Sequence, residues 1–232
     1  MAAAAAAIIC YLNVLPNDFC YDDNPIVRFN EKVNEPEHWL TIWTTDYWSH
    51  TQTGSPNRDL LYRPIALSSY RLVRVVTGPY PLPQHLVNVL LHALVAALLV
   101  RLYRRMGLSD AISLAAGVLF AVHPIHSEVV AGVVGRADIL ATLGVLLALL
   151  AHQRSLLAAS QSTTACWRIA AAFAAFGAMG AKENGVSVIP LVVVWDAFQT
   201  RSRRAWDDGR NWWRWSTLRR LLYLLAPAAL YF

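Results

Sequence analysis

His85-Leu-Val-Asn-Val-Leu-Leu-His-Ala-Leu-Val-Ala-Ala-Leu-Leu-Val-Arg-Leu-Tyr103 decides the fold class. It is close to the ~20 residues that an α-helix needs to cross a bilayer, and its centre carries no charge. Before Arg101 its polar residues are His85, Asn88 and His92, spaced i, i+3 and i+7. That spacing puts them on one helix face. Polar groups at membrane depth face protein rather than lipid, so this face either hydrogen-bonds a neighbouring helix or meets a substrate. Arg101, Arg104 and Arg105 close the run, which by the positive-inside rule makes this end cytosolic.

Composition agrees. Of 232 residues, 56% are hydrophobic and 15% charged, against about 25% charged in soluble domains. The mean hydropathy is +0.36. The net charge of +5 comes from arginines in short connectors, so it reads as a topology signal and not as a nucleic-acid face. Cys10, Cys20 and Cys166 show neither paired nor metal-binding spacing, and no Asn-x-Ser/Thr sequon occurs.

Working outward, apolar segments fall at 2–15, 85–103, 111–123, 138–152, 169–181, 186–198 and 221–232. The expected fold is an all-α polytopic membrane protein, a bundle of about seven short spans. The segment 2–15 reads as a short first span, since it lacks the basic leader of a signal peptide. His123-Pro124 predicts a helix break and restart. Arginine-rich stretches at 101–105, Arg154/Arg168 and 201–220, the last with Trp206, Trp212, Trp213 and Trp215, fall on one side. Residues 16–84 form one long loop on the other side. Within it, helices are expected over 37–48 and 65–76. Trp39, Trp43, Tyr47 and Trp48 would lie along the bilayer interface, and Arg71 and Arg74 would reach lipid headgroups.

The unusual polar clusters all fall on the side of that loop: Asp22/Asp23, Arg63, His123/His126/Glu128, Arg136/Asp138 and Lys182/Glu183. An ionisable group near membrane depth is a functional candidate by default. The aspartates are equally readable as solvated loop acids, and Arg136/Asp138 and Lys182/Glu183 as ion pairs capping short spans.

Phe19-Cys-Tyr-Asp-Asp23, Tyr62-Arg-Pro64, His85-Leu-Val-Asn-Val-Leu-Leu-His92, Phe120-Ala-Val-His-Pro-Ile-His-Ser-Glu128, Gly135-Arg-Ala-Asp138 and Lys182-Glu183 occur in that order. Together they resemble the membrane half of the transmembrane and tetratricopeptide-repeat (TMTC) protein family. The resemblance implies a GT-C-like helical bundle in the endoplasmic reticulum membrane, with the 16–84 loop lumenal. It implies a protein O-mannosyltransferase using dolichyl-phosphate mannose as donor and Ser/Thr hydroxyls of lumenal proteins as acceptors. The family's acidic catalytic motif in the first lumenal loop matches Asp22-Asp23. The family's later spans and tetratricopeptide repeats do not occur before Phe232, so a fragment or short form is expected.

The residue types suit that chemistry. A carboxylate, Asp22 or Asp23, would take the hydroxyl proton. Arg63, Arg136 or Lys182 would stabilise the leaving phosphate. His123, His126 and Glu128, with Asp138 and Glu183, would orient the donor. His-x-x-His plus Glu also has metal-ligand chemistry, but an arginine-served phosphate needs no metal or other cofactor. Two alternatives stand: a transferase using another polyprenyl-phosphate sugar on a lipid-linked glycan, or a non-catalytic membrane binding partner. Transport is disfavoured, because the charges sit at span ends and no inverted repeat is visible.

Overall fold

The computed structural model describes residues 1–35, 39–48, 61–203, 222–225 and 229. It divides into two compact units: Met1–Leu143 with Gly180–Lys182, and Gly144–Met179 with Glu183–Phe232.

In the first unit a polyalanine run forms α1 (Ala2–Tyr11), extended by a 3-10 turn at Leu12–Val14. Alanine loses no side-chain entropy in a helix. The next long elements are α3 (Pro64–Thr77), α4 (Pro81–Arg105) and α5 (Asp110–Val122), preceded by short turns that include a π turn at Asn24–Arg28 and the one-turn helix α2 (Glu31–Asn34). Proline begins both α3 and α4, where a missing N–H leaves nothing unsatisfied. Ala3 and Ala7 pack on Ala93, Ala96, Val100 and Ala121, so α1, α4 and α5 meet through small side chains. A Cβ on Gly117 would strike the Val100 side chain, which shows how close α5 lies to α4. The α4–α5 turn uses Gly107 at φ +92°, the Ser109 hydroxyl caps α5, and Arg104 pairs with Asp110 at 2.8 Å.

The loop before α3 builds a core of its own. Ile26, Val27, Val33, Ile42 and Tyr47 pack with Ala66, Leu67 and Tyr70 of α3 and with Val133 and Ala137. Lys32 is buried against Asp46 at 3.0 Å and also donates to the Trp48 carbonyl at 2.8 Å. Two expectations are corrected here. Over 39–48 the backbone forms only a 3-10 turn, Leu40–Trp43, in place of a helix. The Thr45 hydroxyl caps the Thr41 carbonyl at 2.6 Å, and the Tyr47 N–H turns away to Leu61 O at 2.6 Å, so the helical ladder stops. Arg71 does not reach outward. It is 4% exposed, donates to the carbonyls of Lys32 and Glu35, and lies over the Trp39 ring.

The chain breaks at His123-Pro124 and restarts as α6 (His126–Ala131), as expected. A 3-10 turn at Val133–Gly135 leads into α7 (Arg136–Leu157). Gly135 is required: a Cβ there would collide with the Val129 backbone.

The second unit holds the rest of α7, α8 (Gln161–Ala181) as far as Met179, and α9 (Val188–Arg203). A Cβ on Gly144 would sit 2.8 Å from the Ala174 carbonyl, so α7 and α8 touch backbone to backbone. His152 of α7 bonds Asp196 of α9 at 2.8 Å and the Tyr223 hydroxyl at 2.6 Å.

Pro81–Arg105, Val133–Leu157 and Gln161–Ala181 are long and apolar enough to cross a membrane; Ala2–Val14 and Asp110–Val122 are shorter apolar helices. The described residues contain no strand. This is an all-α membrane architecture. Helices run over Pro81–Arg105, Asp110–Val122, Arg136–Leu157, Gln161–Ala181 and Val188–Arg203, where the sequence suggests 85–103, 111–123, 138–152, 169–181 and 186–198. The seventh segment is helical over 222–225; most of it, and Trp206, Trp212, Trp213 and Trp215, lie outside the described residues.

Candidate functional site

The two aspartates of Phe19–Asp23 are treated oppositely by the fold. Asp22 is exposed, whereas Asp23 is 1% exposed. A tight turn separates them. The Asp23 N–H donates to Cys20 O at 2.9 Å, and the Cys20 N–H donates back to Asp23 Oδ2 at 3.4 Å. Burial, and then the Asp23 carboxylate, push the Cys20 thiol pKa up. Asp23 Oδ1 accepts the N–H of Val134 at 2.9 Å, across 111 residues of sequence.

The Val134 backbone is also held at its carbonyl, in the next peptide unit, because the Tyr70 hydroxyl donates to Val134 O at 3.0 Å. Tyr70 has one hydroxyl proton, so in the 3.1 Å Tyr47–Tyr70 pair it is Tyr47 that donates. Burial raises the Tyr70 pKa to about 12, against the pull of Arg136, and raises that of Tyr47 well above the ordinary value. Both hydroxyls therefore keep their protons at neutral pH. Arg63 lies over the Tyr47 ring at 5.1 Å and Arg136 over the Tyr70 ring at 5.0 Å. Asp23, Arg63 and Arg136 are thus gathered around a buried tyrosine pair.

Arg136 is fully buried and almost fully engaged. Nε donates to Asn88 Oδ1 at 2.7 Å, Nη2 to the carbonyl and side-chain oxygens of Gln84 at 2.7 Å each, and Nη1 to Ser69 O at 3.3 Å. Asn88 in turn donates to Gly132 O at 2.8 Å. The buried His85 ring sits among the backbones of Asn17 and Ala131 and the Asp23 carboxylate.

Arg136 does not pair with Asp138. Asp138 takes Lys182 instead, at 2.7 and 2.8 Å, with both side chains about a third exposed or less. Glu183 opens the 3-10 turn Glu183–Ser187 of the second unit. His123 and His126 come together, with ring centres 6.2 Å apart, and His126 also meets His92 at 5.2 Å and Phe120 at 4.3 Å. Burial, then His92 and His123, lower the His126 pKa. Glu128 is exposed. Among the described residues no group of His, Cys, Asp and Glu is arranged to hold a metal.

Sequence reasoning flagged Asn88 but missed Tyr47, Tyr70 and Gln84 as parts of this centre. By sequence Tyr47 groups with the interfacial aromatics, and nothing local to Tyr70 or Gln84 signals a partner some 50 or more residues away. The remaining signal was positional: Gln84 and His85 are polar residues at the start of an apolar span.

Curated relatives cover most of the chain. It is 39% identical over 197 residues to protein O-mannosyl-transferase tmtc2 of Xenopus laevis, covering 84% of this chain and 23% of that one. It is 35% identical over 196 residues to Tmtc2 of Drosophila melanogaster, covering 83% and 21%, and 30% identical over 213 residues to TMTC4 of Homo sapiens, covering 84% and 29%. No protein-family model and no solved structure matches. These relatives are named as protein O-mannosyl-transferases of the TMTC family, to which the chain is similar over most of its own length while spanning about a quarter of theirs.

Proposed function

We propose that this chain carries the membrane-embedded catalytic region of a protein O-mannosyltransferase. Mannose moves from dolichyl-phosphate mannose to Ser/Thr hydroxyls of acceptor proteins in the endoplasmic reticulum lumen. The chain is then part of a GT-C-like bundle of about seven short spans, with the 16–84 loop lumenal and the arginine-rich connectors cytosolic.

The observation that carries the reading is the split of the acidic pair. Asp22 is exposed at the tip of a turn, and Asp23 is buried as that turn's anchor to Val134. In the proposed step the Asp22 carboxylate accepts the acceptor's hydroxyl proton. The hydroxyl oxygen attacks the anomeric carbon on the face opposite the phosphate, and the bond from that carbon to the phosphate oxygen breaks. The electron pair leaves with dolichyl phosphate, and the configuration inverts. Arg63 and Lys182, both partly exposed, offset the charge of the leaving phosphate. Half-buried His126 and exposed His123 and Glu128 offer hydrogen bonds to sugar hydroxyls.

Cells deleted for this protein and rescued with wild type or Asp22→Asn test the reading by mass spectrometry of lumenal proteins. O-linked hexose restored by wild type alone supports it. Equal restoration by both leaves a non-catalytic binding role.

A further inference from the structure

We infer that Tyr21 is a sugar-positioning residue, its ring stacking on the pyranose of the lipid-linked donor; this rests on the transferase reading above. Tyr21 is the only residue other than glycine with positive φ among the described residues, at φ +42°. A side chain in the left-handed region costs free energy, and such positions persist where the surroundings hold them. Here the surroundings are the hydrogen bonds of the turn. Asp23 N–H donates to Cys20 O, Asn24 N–H to Tyr21 O at 3.1 Å, and Ile26 N–H to Asp22 O at 3.1 Å.

The strain is not repaid by packing of the ring, which is 93% exposed. A glycine would make the same turn without strain, so the side chain itself is what the position retains. The neighbouring side chain is the exposed Asp22, whose Cα lies about 3.8 Å away along the chain. A planar amphipathic ring and a carboxylate therefore stand together on one turn tip, fixed from below by Asp23. A pyranose offers a face of C–H groups that suits an aromatic ring, and hydroxyls that suit a phenol. The acceptor hydroxyl belongs at Asp22, which leaves Tyr21 beside the sugar being attacked.

The test uses the full chain in membranes with dolichyl-phosphate mannose as the probe. Tyr21→Gly, Tyr21→Trp and Asp22→Asn are compared by donor KM, kcat, equilibrium donor binding and thermal stability. Tyr21→Gly is expected to raise donor KM and the donor dissociation constant about five- to tenfold. Its thermal stability is expected to be equal to or above wild type, because the strain is gone. Tyr21→Trp is expected to bind donor nearly as well as wild type. Unchanged donor KM and binding in Tyr21→Gly overturns the inference. So does a drop in thermal stability that tracks the loss of binding and is not rescued by Trp, since the ring is then a packing element. Undiminished transfer by Asp22→Asn overturns the catalytic reading, and donor binding by Tyr21→Gly still decides the role of the ring.

Discussion

The carboxylate of Asp23 and the backbone N–H of Val134 meet at 2.9 Å, joining the turn after the first helix to the turn before α7. Tyr70 holds the carbonyl of the same residue at 3.0 Å. The backbone of Val134 is thereby held at both its N–H and its carbonyl, in two consecutive peptide units, and the exposed acid at position 22 inherits its place from that grip.

Asp23→Ala is expected to lower stability by about 1–3 kcal/mol, because it leaves the Val134 N–H without its partner. Asp23→Asn keeps an acceptor and is expected to cost less. Asp22→Asn is expected to leave stability within about 0.5 kcal/mol, as exposed substitutions do, while abolishing transfer. Thermal unfolding in detergent beside a transfer assay separates the three; equal destabilisation by the Asp22 and Asp23 variants would contradict the split.

Arg136→Lys is expected to destabilise by about 2–4 kcal/mol. A lysine cannot reproduce the fork that serves Asn88, Gln84 and Ser69 together, so buried acceptors lose their donors. Denaturation in mixed micelles measures this, and a change below about 0.5 kcal/mol would show that the buried hub is dispensable.

His126 sets a pH dependence. Its folded pKa lies below the unfolded value of about 6.5, so the unfolded chain binds the proton more readily. Its contribution to stability is complete above pH 6.5 and is lost as pH falls through the folded pKa. Between pH 7 and pH 5 the melting temperature is expected to drop, and His126→Gln is expected to flatten that drop. An identical slope in the variant would assign the effect elsewhere.

Cys20 reports on Asp23 directly. Burial and then the neighbouring carboxylate raise its pKa, so the thiolate is scarce at neutral pH. In a background with Cys10 and Cys166 replaced by Ser, Asp23→Asn is expected to speed alkylation of Cys20 by iodoacetamide at pH 7.5. A slower reaction would mean that the carboxylate does not face the thiol.

Much of the fold was legible because membrane spans are written in local composition. Long apolar runs such as 85–103, the break at His123-Pro124 and the arginine cluster that ends α4 each signal themselves within one window. Over 39–48 the expected helix failed for a partly tertiary reason, a threonine hydroxyl and a long-range backbone bond stopping the ladder. Arg71 failed for a tertiary reason. An amphipathic arginine within a helical run looks the same whether its guanidinium finds lipid headgroups or, as here, the carbonyls of Lys32 and Glu35.

By itself the sequence determined the class, an all-α membrane chain, and the short list of residues able to do chemistry, because hydropathy and side-chain chemistry are properties of each residue. It also carried the family likeness. Only the tertiary structure decided how those residues divide: Asp22 outward and Asp23 inward, Arg136 to Asn88 and Gln84 instead of Asp138, Asp138 to Lys182. The physical reason is that burial and pairing depend on contacts between residues dozens of positions apart, and two adjacent aspartates are identical until one of them meets Val134.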